Sequence, residues 1–309
     1  MEEGNRSGVV SRIRNRVEEV LMRAAVSGAA SPSWFVRSRP DPTSLTPRTG
    51  ELSIEIVSHC WNYHYLLAYQ LSSLVNHPPR QATVTMTVFY SPEDRATEEM
   101  LRFFGEINVP RVIWNWSPVA KELLFRRAIG RNRAALASRA DWVWFTDCDI
   151  IFHEGCLDVL TEQLQGRRDL LVYPAMEHIT PLLPSDHPML TAAVDEPRVL
   201  EIDTSLFVRQ DLDVAKGGMQ VTHGDVARAL GYCDALKVYQ RPAERWRKAW
   251  EDRAFRWLLG TGGTPLDVPG LYRIRHATKG RYGNPVTGTM RGSLRRAQSW
   301  MQDLRRSRN

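Results

Sequence analysis

The chain has 309 residues, 43% of them apolar and 25% charged, the composition of an ordinary soluble globular protein with length for one large domain, or one with extensions, around a substantial core. No uninterrupted apolar stretch is long enough to span a bilayer and the N-terminus has no signal-peptide core, so the cytosol is the expectation. The net charge of +6 is uneven, because residues 291–309 hold six arginines (291, 295, 296, 305, 306, 308) against Asp303; such a tail suits an anionic surface, lipid headgroups or nucleic acid.

In chain order, Met1 to Gly28 is predicted to be helical. Val9, Val10, Ile13, Val17, Val20, Leu21 and Ala24 fall on one stripe, which would pack on its own domain, on a second subunit of a homo-oligomer, or in a membrane interface. Ser31 to Gly50, with four prolines, reads as a linker without a core of its own. Residues 1–50 are therefore set apart from a catalytic domain over 51–285, and 286–309 from that domain as a basic C-terminal helix or tail.

Leu52 to Ser58 reads as a first strand, His59 to Tyr63 as its loop and Tyr65 to Val75 as a helix. Thr83 to Tyr90 is a second strand, and Ser91-Pro92 opens another helix, serine as cap and proline in the first turn. Arg111 to Asn115 is a short third strand, and Lys121 to Arg139 one helix. Trp142 to Thr146 is aromatic and β-branched throughout, which suits a strand covered on both faces. It stops on Asp147-Cys148-Asp149. Open α/β sheets bind ligands outside the carboxyl ends of their strands, so the two carboxylates point to a metal or nucleotide site.

Beyond them, Gly155 to Gln165 is predicted helical and Leu170 to Tyr173 a strand. Thr180 to Pro197 is an irregular proline-rich loop, and a strand ends at Leu206 to Arg209. Val221 to Leu230 and Pro242 to Leu259 are predicted helices, Tyr272 to His276 a last strand, and Leu294 to Arg306 a basic amphipathic helix. Strand and helix alternate through the first half, which indicates an α/β fold with a largely parallel sheet. The four cysteines (60, 148, 156, 233) show no CxxC pair or zinc spacing, so buried free thiols are expected.

Over Leu52 to Tyr282 this order of elements resembles the GT-A glycosyltransferases, especially the large inverting family of bacterial polysaccharide and lipid-linked-sugar transferases. The landmarks are Trp61-Asn62 after the first strand, Gly130-Arg131-Asn132 before the aspartate strand, Asp147-Cys148-Asp149, Leu206 to Leu212 with Gly217-Gly218, Trp250-Glu251-Asp252, and His276. The chain departs from the family pattern at Asp203-Thr204, where glycine or threonine-glycine is frequent, and at Met219, where an acidic residue is frequent.

The resemblance implies a GT-A, Rossmann-like fold with helical extensions and metal-dependent transfer of a sugar from a nucleotide-diphosphate donor to a carbohydrate or lipid-linked hydroxyl. Mn2+ or Mg2+ would be held by Asp147, Asp149 and His276. Asp149 would be the direct ligand, and Asp147 would hold ribose hydroxyls or metal-bound water. Trp61, Asn62, Asp94, Arg131 and Asn132 would serve the nucleotide, with Lys279 and Arg281 closing on the diphosphate. Asp252 would be the general base, with Glu251 as the fallback, because adjacent helical residues point about 100° apart. Trp246 and Trp250, four apart on that helix, would flank the base. Peripheral attachment at the inner face of a membrane would bring a lipid-linked acceptor within reach.

Two rivals differ in class. A sugar-nucleotide pyrophosphorylase would carry a glycine-rich phosphate loop where this chain has Ser58-His-Cys-Trp-Asn-Tyr63. A non-catalytic membrane or nucleic-acid adaptor would use the basic tail alone and leaves the aspartates, His276 and the Glu-Asp pair without a role.

Overall fold

The structure, a computed structural model, describes residues 17–36, 38–246 and 249–276. Residues 17–24 form helix α1, which runs into a wider turn over Ala25–Ala29 that contains Gly28 at φ 110°, a conformation natural to glycine. Two single turns follow at Pro32–Trp34 and Pro42–Ser44, each capped by the preceding side chain, Ser31 or Asp41. Leu45 is buried in the main core. Arg48 pairs with Asp141 and Asp225, so the proline-rich stretch lies fastened to the body.

Strand and helix then alternate: β1 (Leu52–His59), α2 (His64–Asn76), β2 (Ala82–Tyr90), α3 (Arg95–Gly105), β3 (Val112–Pro118), α4 (Lys121–Leu124), α5 (Arg127–Ala137) and β4 (Trp142–Phe145). The chain continues through β5 (Ile150–Phe152), α6 (Cys156–Leu164), β6 (Leu171–Pro174), β7 (Met176–Ile179), α7 (Pro188–Thr191) and β8 (Val208–Asp211). It finishes with β9 (Gln220–His223), α8 (Gly224–Leu230), α9 (Glu251–Leu259), β10 (Thr264–Leu266) and β11 (Leu271–Arg273).

The architecture is the expected α/β one. A seven-stranded sheet runs β10-β6-β9-β4-β1-β2-β3. Its pairs are parallel except that β9 lies antiparallel to both β4 and β6. Helices α4, α5, α6 and α8 pack on its strands. All four residues of β4 are fully buried, as its aromatic and β-branched sequence requires of a central strand. A second sheet, β5-β11-β7-β8, stands beside the end of β4. All four cysteines are buried and none forms a disulfide.

Several local expectations need correction. The cap of α3 is Asp94, three residues beyond Ser91, and Thr204–Leu206 is a single turn ahead of β8, which runs on to Asp211. Val221 to His223 belongs to a strand: Val221 and Thr222 are β-branched, all of β9 is buried, and two neighbours supply its hydrogen bonds. The helix starts only at Gly224, where a Cβ would lie 2.1 Å from the Ala140 carbonyl oxygen. The helix expected over Lys121 to Arg139 breaks at Phe125-Arg126, because Arg126 leaves helical dihedrals (φ −113°, ψ 85°) and its guanidinium meets Glu19 at 2.9 Å. The helix expected from Pro242 begins at Glu251, so Trp246 and Trp250 are not neighbours on one helical face. Trp246 instead lies under the Arg127 guanidinium, 5.1 Å from ring centre to Cζ. Finally, β11 ends at Arg273, and His276 makes a single bridge with Leu183.

Candidate active site

Strands β1 and β4 are parallel neighbours in register, Val57 opposite Phe145, so both chains leave the sheet at the same edge. Their exits form a cleft enclosing about 420 Å³, counting the space open to solvent, lined by His59, Trp61, Tyr63, Arg127, Asp147, Asp149, Trp246 and His276 among others. This is the crevice position expected of an open α/β sheet, and it collects residues separated by more than two hundred positions in sequence.

The loop after β1 turns at Asn62, which has φ 56°, a left-handed conformation that asparagine tolerates. The Asn62 N–H donates to Asp94 Oδ2 at 2.6 Å. The same carboxylate accepts the Thr97 hydroxyl at 2.6 Å and the Thr97 N–H at 3.3 Å, capping α3. Asp94 is buried, so the structure places it beneath the loop as its brace rather than in the cleft wall. Trp61 meets Phe125 edge-on at 5.2 Å, and Tyr63 meets His276 edge-on at 5.2 Å.

The turn after β4 is held from both sides. Gln70 of α2 donates to the Asp147 carbonyl at 2.9 Å and the Ile150 carbonyl at 3.0 Å, and the Ile274 N–H donates to the Asp149 carbonyl at 3.1 Å. Asp147 Oδ1 accepts the guanidinium of Arg127 and, at 3.3 Å, that of Arg131. Arg131 is fully buried and also donates to the Tyr232 hydroxyl at 2.9 Å and the Thr146 carbonyl at 3.1 Å. Asn132 faces elsewhere, donating to Asp234 at 2.9 Å and accepting the Tyr232 N–H at 2.8 Å. The two expected aspartates thus divide. Asp147 is anchored to arginines, while Asp149, whose Oδ1 is shielded from solvent, and His276 share the cleft.

Among the described residues no group of three or more His, Cys, Asp or Glu side chains converges on one point. Asp149 and His276 supply a carboxylate oxygen and an imidazole nitrogen, a donor set that fits a borderline-hard ion such as Mn2+ with its other positions left to phosphate and water.

Gly217 and Gly218 separate the aspartates from α9. A Cβ on Gly217 would stand 3.7 Å from Asp252 Cβ and Cγ, and one on Gly218 would stand 3.4 Å from the Asp147 nitrogen. Asp252 and Asp147 therefore flank one glycine turn. Glu251 is buried; burial raises its carboxyl pKa, against the opposing pull of Arg127, Arg131 and Arg126. Burial disfavours the Arg127 charge, but Asp147 chiefly, then Glu251, outweigh it and raise its pKa.

Three contributors were not read from the sequence. Arg127 is one. His59 is another: it is buried, stacked on Phe89 at 5.1 Å, and neither ring nitrogen is hydrogen-bonded among the described residues. Its pKa is lowered well below the usual value by burial, then by Arg131 and Arg127, with Asp147 opposing. The third is Arg273, fixed by Glu177 through Nε at 2.8 Å and Nη2 at 2.5 Å. Burial opposes its charge, and Glu177, then Asp149, sustain it. Only the one-residue spacing of the aspartates is visible locally; these three depend on partners distant in sequence. Lys279 and Arg281 lie outside the described residues, as does the predicted helix from Leu294.

No protein-family model and no curated protein matches the chain. Among solved structures, S. aureus TarS 1–349 aligns at a TM-score of 0.41 and 11% identity, over 73% of this chain and 58% of that one, so this chain spans less than two thirds of it. The mannosyltransferase PcManGT from Pyrobaculum calidifontis, in complex with GDP-Man and Mn2+, aligns at a TM-score of 0.44 and 14% identity, over 94% of this chain and 76% of that one. Similarity of this degree assigns no activity.

Proposed function

We propose that the protein is a glycosyltransferase that moves a sugar from a nucleotide-diphosphate donor to a hydroxyl acceptor by direct displacement with inversion. The observation that carries this reading is the cleft where β1 and β4 end side by side, lined by Asp149, His276, Trp61 and Tyr63, with Asp252 next to the glycine turn that borders Asp147. The aromatic side chains Trp61 and Tyr63 offer surfaces for a base. Asp147, oriented by Arg127 and Arg131, would take the ribose hydroxyls. Arg127 and Arg273 contribute fixed positive charge where a diphosphate leaving group develops its negative charge.

Asp149 and His276 are the residues that would hold Mn2+ or Mg2+, and the ion would supply Lewis-acid stabilisation of the departing diphosphate. Asp252 takes the proton of the acceptor hydroxyl as that oxygen attacks the anomeric carbon. The acceptor is a carbohydrate or lipid-linked hydroxyl. A pyrophosphorylase reading lacks support from the loop after β1, which has no glycine between Ser58 and Tyr63.

The test is thermal denaturation with a panel of nucleoside diphosphates, with and without manganese. A ligand at a hundred times its Kd stabilises the folded state by about 2.7 kcal/mol. One diphosphate should therefore raise Tm by several degrees in the presence of manganese, and Asp149→Ala should abolish the manganese-dependent part. No shift with any nucleotide would sink the proposal.

A further inference from the structure

Helix α1 turns Met22 and two glutamates toward the body and leaves a second apolar stripe outside. A surface helix ordinarily buries its apolar stripe and shows its charges to water. Here Glu19 pairs with Arg126 at 2.9 Å and Glu18 with Arg241, both toward the body, where the Glu19 and Arg126 side chains are 16% and 9% exposed. Val17, Val20 and Leu21 are instead 52%, 63% and 63% exposed, and their i, i+3, i+4 spacing puts them on one outward stripe. Trp34 follows at 76% exposure, its position fixed by the adjacent Phe35, which sits edge-on to Trp257 of α9 at 5.4 Å. Val20, Leu21 and Trp34 are the three most exposed large apolar side chains among the described residues.

Charge selects the occupant. Residues 1–39 hold seven arginines against four glutamates, and the two glutamates of α1 face inward, so its outer side is apolar in a basic stretch. An apolar stripe and an exposed tryptophan in a stretch of basic sequence are what the headgroup region of an anionic bilayer accommodates. A second copy of the chain is a poorer fit: the four side chains offer on the order of 500 Å², short of the roughly 800 Å² per partner of a stable interface. We propose that α1 and Trp34 dock the protein on an anionic lipid surface, lying in its headgroup plane. Arg126 pairs with α1 while its neighbour Arg127 pairs with Asp147, so docking also holds the cleft close to the lipid. The proposal does not depend on the glycosyltransferase reading.

The experiment uses the full chain and phosphatidylcholine vesicles with and without phosphatidylglycerol. The protein should sediment with the anionic vesicles, and Val20→Glu/Leu21→Glu should weaken that partition by roughly tenfold or more. Both positions are exposed, so the variant should keep the circular dichroism and melting temperature of the parent. A Leu21→Cys variant carrying an environment-sensitive dye reports insertion of this face specifically, since the four native cysteines are buried. Its emission should move to the blue on anionic vesicles alone. Sedimentation without that shift would assign binding to the basic C-terminal segment and overturn the proposal. Absence of sedimentation, equal binding to both vesicle types, or a solution dimer dissolved by the double substitution would also overturn it.

Discussion

Asp252 and Glu251 stand side by side in the first turn of α9 and meet different surroundings. Glu251 turns into the protein, toward Arg127, Arg131 and Arg126, and burial raises its pKa. Asp252 lies against Gly217, across the turn from Asp147. Asp252→Asn should lower kcat by about 10³-fold with donor KM little changed, because it removes a proton acceptor from the displacement step alone. Glu251→Gln removes a buried charge that the fold disfavours, as the raised pKa records, so its urea midpoint at neutral pH should stay at or above the parent's, with turnover kept. Steady-state kinetics paired with urea midpoints separate the two. If Glu251→Gln loses turnover at parental stability while Asp252→Asn keeps it, the roles are reversed.

Helix α5 shapes the wall of the cleft through a glycine. A Cβ at Gly130 would stand 2.2 Å from His59 Nε2 and 3.0 Å from Phe89 Cγ, where β1 and β2 end. Gly→Ala in a helix interior gains up to about 1 kcal/mol in propensity, whereas overpacking a tight contact costs about 1–3 kcal/mol. Both contacted rings are confined, so the cost should win. Gly130→Ala is expected to destabilise by about 1–2 kcal/mol, read as a lower urea midpoint at unchanged m; a stabilised variant would refute the contact. The sequence conveyed the elements whose pattern is local: β1, β2 and β4 by their apolar runs, and the turn after β4 by two carboxylates at a strand end. It did not convey β9, because Val221 and Thr222 sit between polar residues and their strand character comes from the neighbours β4 and β6. Nor did it convey that α9 starts at Glu251, since Trp246 is held by Arg127, more than a hundred residues earlier. The outward stripe of α1 was legible as a stripe, but its direction depends on Glu18 and Glu19 finding Arg241 and Arg126.

Across the whole molecule, buried imidazoles tie stability to pH. The pKa of His59 is lowered by burial, then Arg131 and Arg127. That of His223 is lowered by burial, with Asp225 and the Thr46 carbonyl opposing, and that of His153 by burial and then His77. In the unfolded chain each titrates near about 6.5. Below that value the unfolded state binds protons that the folded state refuses, so stability is complete above about pH 6.5 and falls as the pH drops toward the lowered folded values. A single such group approaches a slope of about 1.4 kcal/mol per pH unit. Glu251 acts in the opposite sense, since its raised pKa favours the folded state as the pH falls from that value toward the unfolded one. The difference between variants is therefore more telling than the absolute curve. His59→Leu removes one titration and keeps an apolar side chain against Phe89, so its urea midpoint should fall less steeply than the parent's between about pH 7 and 5. Parallel curves for the two proteins would mean that His59 takes up its proton in the folded state, and that the cationic, buried setting assigned to this wall of the cleft is wrong.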